Sequence, residues 1–360
     1  MPIPLLSFPS DLLRDLFKEC DPFDLYKLSQ CSKRTRKSIM TNTSTNNWKI
    51  RGNDKKIFVL CEKSRYCFIK TTMPNAYEYA KQYPFFDLCM EPVKGMFIQY
   101  PNGGFPELFV HLLDTLRIRT VNELISPNET APSCSFERYL ELMRSVIERN
   151  LDVERLYCNT KGDECAIATF MELSNQINVT KAFHCDQPFP PGFQHHFTRF
   201  PEQIFLRDSH WFQLDQLISC SCTHIELEES TLSNQDIDLL LRKWKKNEAL
   251  PNLQSLGIST KNVDNKSSIL GMIPPINGNG NPRRYIRVEN ADKEVIDPVQ
   301  VTKDDGTVGW LKVELGIRPI IKLLIVNSSS SVREIIRRSP IFESDTEEES
   351  EDEEGASDAS

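Results

Sequence analysis

The stretch 8–39, FPSDLLRDLFKECDPFDLYKLSQCSKRTRKSI, constrains this chain more than any other part of it, because capping residues divide it into three short amphipathic helices. Pro9, Ser10 and Asp11 open the first with a fixed φ, a side-chain acceptor for unpaired amides and a negative charge at the positive end of the dipole. Leu12, Leu13, Leu16 and Phe17 then share one helical face. Asp21 reads as an N-cap, with Pro22 at the first helical position and Asp24 in the first turn, so a second helix carries Leu25 and Leu28. Ser32 caps a third, in which Lys33, Arg34, Arg36 and Lys37 surround Ile39. A bundle of about 35 residues buries little of its own apolar surface and gains stability by completing its core against a partner.

These residues resemble an F-box. The pattern is a hydrophobic-Pro pair, Phe8-Pro9, the acid Asp11, then Leu12-Leu13 and Leu16-Phe17. Asp21-Pro22 follows with Leu25 and Leu28, and Ser32-Lys33 precedes Ile39. Thr35 stands where most F-boxes have Trp, a departure that bears on the packing of the third helix. The resemblance implies binding to the Skp-type adaptor and, through it, to a cullin-RING ubiquitin ligase. It also implies that Phe8, Pro9, Leu12, Leu13, Leu16, Phe17, Pro22, Leu25 and Leu28 include the adaptor contacts, some of the set facing inward instead.

The 360 residues leave room for two or three units, and 39% hydrophobic with 26% charged residues is ordinary for a soluble globular chain. Pro2, Pro4 and the absence of an early basic cluster argue against a secretory signal, and no run approaches the roughly 18 apolar residues of a membrane span. The expectation is a cytoplasmic or nuclear protein, not bound to membrane. Eleven scattered cysteines fit reduced thiols there, and the five Asn-x-Ser/Thr sequons read as chance. Of the net charge of -8, ten acidic residues without a basic one lie between Glu343 and Asp358, so the body is near neutral. Without apolar periodicity, that segment is expected to be a disordered acidic tail. Ser344, Thr346 and Ser350 each have Glu three residues later, the context of acidophilic kinases, and Ser339-Pro340 follows two arginines. No basic, aromatic surface points to nucleic acid.

From about residue 120 to 258, short apolar strands recur with helical segments between them. Strands are expected at 121–125, 153–158, 179–183, 203–206, 224–227 and 253–258, and helices at 136–149, 164–173, 211–217 and 234–244. In the last helix Ile237, Leu240, Leu241 and Trp244 share a face behind the cap Ser233. Such units bury one side of each helix on a parallel sheet and leave the other sheet face for a partner. Within this region, 210–259 resembles the type 2 F-box-associated domain of nematode-type F-box families. The resemblance rests on Trp211 leading into Leu214 and Leu217, the Ile225 to Leu227 strand, the Leu232-Ser233-Asn234-Asp236 helix start, Leu240 to Trp244, and Leu250-Pro251-Asn252-Leu253. It implies a substrate-recognition module, in which Trp211 and Trp244 belong to the core.

The fold expected is α/β: a three-helix F-box (1–45), a β-containing linker unit (46–118), a divergent leucine-rich-repeat-like β/α stack (119–260), a loop (261–284), a small C-terminal β unit capping the stack (285–330) and the tail (331–360). A hairpin around Asp305-Gly306 belongs to the C-terminal unit. Cys220, Cys222 and His224 are too closely spaced for the usual zinc knuckle, and strand alternation would put them on one face. No cysteine carries the signature of a nucleophile, and Gly278-Asn279-Gly280 is followed by Pro282 rather than a helix. The sequence thus points to a receptor with no catalytic residues, no metal and no cofactor, holding a substrate protein whose identity is not encoded in any motif. The alternative is an interaction scaffold not coupled to ubiquitylation.

Overall fold

The computed structural model describes residues 5–43, 47–53, 55–62, 64–71, 85–86, 92–102, 104–126, 136–159, 164–278, 285–288, 293–326 and 332–334. Three helices come first, α1 (Ser10–Glu19), α2 (Pro22–Cys31) and α3 (Lys33–Asn42). Asp21 accepts from the Asp24 amide at 2.9 Å and Ser32 from the Thr35 amide at 3.0 Å, as the spacing predicts. The first helix differs. Pro9 is its N-cap and Ser10 already lies inside it, so no side chain caps that end. Thr35 is buried and bonds to Ser32 Oγ at 2.8 Å, so the site filled elsewhere by Trp is closed here by a small cap-bonded residue.

Most of the remaining described residues are organised on one mixed sheet of 14 strands. Its first strands are β1 (Lys49–Gly52), β2 (Lys56–Leu60), β3 (Arg65–Lys70), β4 (Phe85–Phe86) and β5 (Pro92–Ile98). Helix α4 (Gly104–Thr115) follows, and then β6 (Thr120–Ile125), α5 (Phe136–Glu148), β7 (Asp152–Cys158), α6 (Glu164–Ser174) and β8 (Asn178–Cys185). The run continues through β9 (Gln203–Leu206), α7 (Leu214–Ser219), β10 (His224–Ser230), α8 (Asn234–Lys245) and β11 (Ser255–Thr260). Strands β6 to β11 are neighbours in chain order and all parallel, and β1 lies parallel beside β6. Right-handed crossovers between successive parallel neighbours place the connections on the same sheet face. The helices accordingly form a layer in which α4 touches α5, α5 touches α6 and α7 touches α8.

Alternation sorts the strand residues. Leu124, Leu156, Phe183, Ile204, Ile225 and Leu256 stand in one cross-strand register row, and all are buried beneath the helices. Trp244 and Trp211 are core residues, as expected from helical spacing. Between β8 and β9 a loop takes the place of a helix. Its Phe189, Phe193, His195, Phe197 and Phe200 rings pack against Trp211 and Phe212 and fill the slot. The expected strands and helices of this region appear within a few residues of their expected ends, with α7 starting at Leu214 rather than 211.

Three features depart from expectation. Helix α4 was not foreseen, although Phe105, Leu108, Phe109, Leu112 and Leu113 are all buried on it. Strand β10 begins at His224, so Cys220 and Cys222 sit buried in the turn before it and do not share a strand face with that histidine. The segment 261–278 is more than a surface loop: Val263, Ile269 and Ile276 are buried, and Ile276 bridges Val313.

Strands β14 (Val299–Thr302), β15 (Val308–Glu314) and β16 (Ile320–Val326) add antiparallel to β11 and close that edge, with Gly306 at φ +87° turning the β14–β15 hairpin. Strands β12 (Tyr285–Val288), β13 (Lys293–Ile296) and β17 (Val332–Glu334) make a separate three-stranded sheet, where Val295 packs on Leu324.

Candidate docking surfaces

The helical module is fused to the body by aromatic edges. Phe23 of α2 meets Tyr66 at 5.2 Å and Phe68 at 5.0 Å, while Tyr26 meets Phe68 at 5.3 Å and His111 of α4 at 5.8 Å, all edge to face. His111 Nε2 also reaches Gln30 Nε2 at 3.0 Å and Ser29 Oγ at 3.1 Å. An amide nitrogen only donates, so the ring nitrogen accepts and the imidazole is neutral. Burial lowers the His111 pKa to about 4, and the Arg36 charge acts in the same direction. Leu13, Phe17, Leu25 and Ile39 join the same hydrophobic core as the sheet.

That packing divides the nine apolar residues of the module. Leu13 is 5% and Phe17 1% exposed, and Leu25 and Pro22 are also buried. Phe8 and Leu28 are partly covered. Pro9 is exposed, as are Leu12 at 50% and Leu16 at 38%, one helical turn apart on α1. Leu12 and Leu16 are therefore an apolar strip that the chain's own described residues leave open. Ser339, Ser344, Thr346 and Ser350 lie outside the described residues.

A second surface is the sheet face away from the helices. At the β1 side it is a charge lattice: Glu154 accepts from Lys49 at 2.7 Å, Lys181 at 3.0 Å and Asn122 at 2.7 Å, and Glu123 pairs with Arg51 at 3.2 Å. Burial opposes the Glu154 charge, but these hydrogen bonds outweigh it and hold its pKa at about 2. Further along, Tyr157, His184 and Phe205 occupy one register row across β7, β8 and β9. His184 stacks on Phe205 at 4.2 Å, tilts against Tyr157 at 5.5 Å and bonds Asp186 at 2.9 Å through Nε2.

Sequence reasoning missed this row, although its signal is legible afterwards. In three successive strands a ring immediately precedes a residue buried under the helices, as Tyr157-Cys158, His184-Cys185 and Phe205-Leu206. Burial pushes the Cys61 and Cys67 thiols up to about 12, so they remain protonated near neutrality. Among the described residues, no group of three or more His, Cys, Asp or Glu is placed to hold a metal ion, and no helix is long and apolar enough to cross a membrane.

An exposed leucine pair on the three-helix module and a β/α sheet layered with helices on one face are two surfaces of different character. Comparison with known sequences bears on both regions. Residues 5–46 match the F-box domain and residues 192–258 match the F-box associated domain, so the chain carries both modules, a combination consistent with nematode-type F-box families. The second match spans β9 through α8 to most of β11. The chain is similar to the Skn-1 dependent zygotic transcript 15 protein of Caenorhabditis elegans, 25% identical over 182 residues, which are 48% of each protein. It spans about half the length of the curated relative it matches. No solved structure matches.

Proposed function

We propose that this chain is the substrate-recognition subunit of an SCF-type cullin-RING ubiquitin ligase, working in the cytoplasm or nucleus. Its F-box binds the Skp-type adaptor, its leucine-rich-repeat-like sheet holds a target protein, and the partner subunits deliver ubiquitin. It contributes no catalytic group. Proximity does the work, by raising the effective concentration of target lysines near the transferring enzyme.

The observation that carries this reading is the split on α1. Leu13 and Phe17 tie the helix to the core, while Leu12 and Leu16 face outward in a module whose family binds that adaptor. Binding would bury both leucines at about 1.5–3 kcal/mol apiece, an ample contribution to a micromolar complex.

The test is capture of recombinant Skp-type adaptor and cullin by the full chain. Leu12→Asp with Leu16→Asp should abolish capture and leave the melting temperature unchanged. A wild-type chain that captures no adaptor, or a double variant that captures it as well as wild type, refutes the proposal.

A further inference from the structure

Among the described residues, the large apolar side chains left exposed fall into two groups toward opposite ends of the strand order. Leu12, Leu16 and Met40 belong to the F-box, which packs on β3. Leu239, Ile273, Leu315 and Ile317 gather toward the other end, around the turn between β15 and β16. Ile276 and Val313 exchange backbone hydrogen bonds at 2.9 Å in antiparallel register, so stepping three residues back from one and three on from the other brings Ile273 beside the 315–317 turn. Leu239 flanks them, because the Leu270 amide bonds the adjacent Asp238 at 2.7 Å. Ile317 is 97% and Ile273 53% exposed, both more open than Leu12. Exposed apolar residues scattered singly are ordinary, whereas a group at one corner marks a contact surface.

The charges around this corner balance to a basic excess. Lys266 pairs with Asp264 and Lys312 with Glu314, each cancelling. Arg318 at 2.9 Å and Lys261 at 3.5 Å share the single carboxylate of Glu229, and both stand further into solvent than it does. Along α8 and its end, Asp236, Asp238 and Glu248 are matched by Arg242, Lys243 and Lys245, with Lys246 in addition. Glu226 and Glu228 alternate with the buried Ile225 and Leu227 and so stand on the other face of the sheet. An approaching segment gains by covering apolar surface, and gains again if it brings a carboxylate to the shared pair of bases. We infer that this corner is where the target protein docks and that it takes a segment of large apolar residues followed by carboxylates. The apolar side chains cover Ile273, Leu315 and Ile317, and a carboxylate joins Arg318 and Lys261. The inference rests on the receptor reading for its biological meaning, but the binding chemistry stands independently of the adaptor.

The probe is a fluorescein-labelled glycine-serine peptide with a central Leu-Phe-Asp-Glu, followed by anisotropy on the full-length protein. Two control peptides replace the acids with two lysines or the apolar pair with two serines, and each should bind at least about tenfold more weakly. Ile317→Ser, at a position the fold hardly touches, should weaken binding of the first peptide about tenfold and leave the melting temperature unchanged. Arg318→Glu should weaken it at least about fivefold and strengthen binding of the lysine peptide, and the wild-type affinity should fall as salt is raised. A wild type that binds no Leu-Phe-Asp-Glu peptide, an Ile317→Ser protein of unchanged affinity, or a lysine peptide bound as tightly as the acidic one overturns the proposal. Sedimentation velocity tests for a second copy as the occupant: a wild-type dimer that Ile317→Ser converts to monomer also overturns it. Both variants should capture adaptor like wild type, and Leu12→Asp with Leu16→Asp should bind the peptide like wild type. If wild type binds the peptide yet captures no adaptor, the ligase reading fails and the site stands; the reverse result leaves the ligase reading and removes the site.

Discussion

His111 makes the seam between the F-box and the sheet sensitive to acid. Burial holds its pKa at about 4 against an ordinary 6.5, with Arg36 lowering it further and Asp114 and Glu107 opposing. The unfolded chain therefore takes up this proton as pH falls below about 6.5, whereas the folded chain resists until about 4. Stability is complete above that window and declines as pH drops through it. From about pH 7.5 to about pH 5, such a pair of values corresponds to about 2 kcal/mol. Partial access of solvent to the ring reduces this to about 1–2 kcal/mol. His111→Gln keeps a side chain that can bond Ser29 and Gln30 but has no proton to gain. Urea unfolding of both proteins at the two pH values is the assay, and wild type should lose about 1–2 kcal/mol more than the variant over that span. His195, which burial also lowers to about 4, is common to both proteins and cancels. Parallel pH dependence of the two proteins would refute the reasoning. Hydrogen exchange supplies a local readout, with α2 and α4 amides expected to lose protection before those of β10 and β11.

Three further outcomes are expected. Leu13→Ala or Phe17→Ala should cost about 2–5 kcal/mol in urea unfolding, and Leu12→Ala less than about 0.5 kcal/mol, because only the first two leave a cavity. Glu154→Gln leaves Lys49 and Lys181 facing a neutral group and should cost about 1–3 kcal/mol at neutral pH. As the folded pKa lies near 2, the wild-type advantage should persist above about pH 4.5 and vanish as pH falls toward 2. Gly309→Ala should lower stability by about 1–3 kcal/mol in the same assay, since its new methyl would sit 2.8 Å from Trp244 Cη2 and 3.1 Å from Leu323 Cδ1, both fully enclosed.

What could be read beforehand followed from local chemistry. Asp21, Ser32 and Ser233 announce helix starts because each oxygen satisfies an amide a few residues away, and α8 carries the full capping box with Asp236. Strands β7, β9 and β10 were legible because a row buried on one side leaves an alternating pattern along most of each, and β11 because it is a short run buried almost throughout. Helix α4 was hidden by its composition. GFPELFVHLLDT opens with Gly and Pro and is apolar nearly all round, since it is enclosed between α2, α3 and α5, so no polar face marks its period.

The division of the leucines on α1 was hidden for a different reason. Leu12 and Leu13, like Leu16 and Phe17, are adjacent on one broad apolar stripe, and only the position of α3 and the sheet decides which member of each pair is covered. The aromatic row at Tyr157, His184 and Phe205 depends on register between strands about 20–27 positions apart in sequence, a long-range relation that no local pattern expresses.

The continuous core beneath the F-box and the sheet has a geometric consequence for whatever is carried. Phe23 and Tyr26 pack edge to face across the seam, so on the proposed function a target held on the sheet would be presented at a set distance and angle from the adaptor. Adjacent strands step by about 4.8 Å, which spaces β11 from β1 by roughly 30 Å across the parallel run. Gaining or losing one β/α unit in such a chain would move its grip by a single increment of that size, a ruler that changes which lysines come within reach without altering either end.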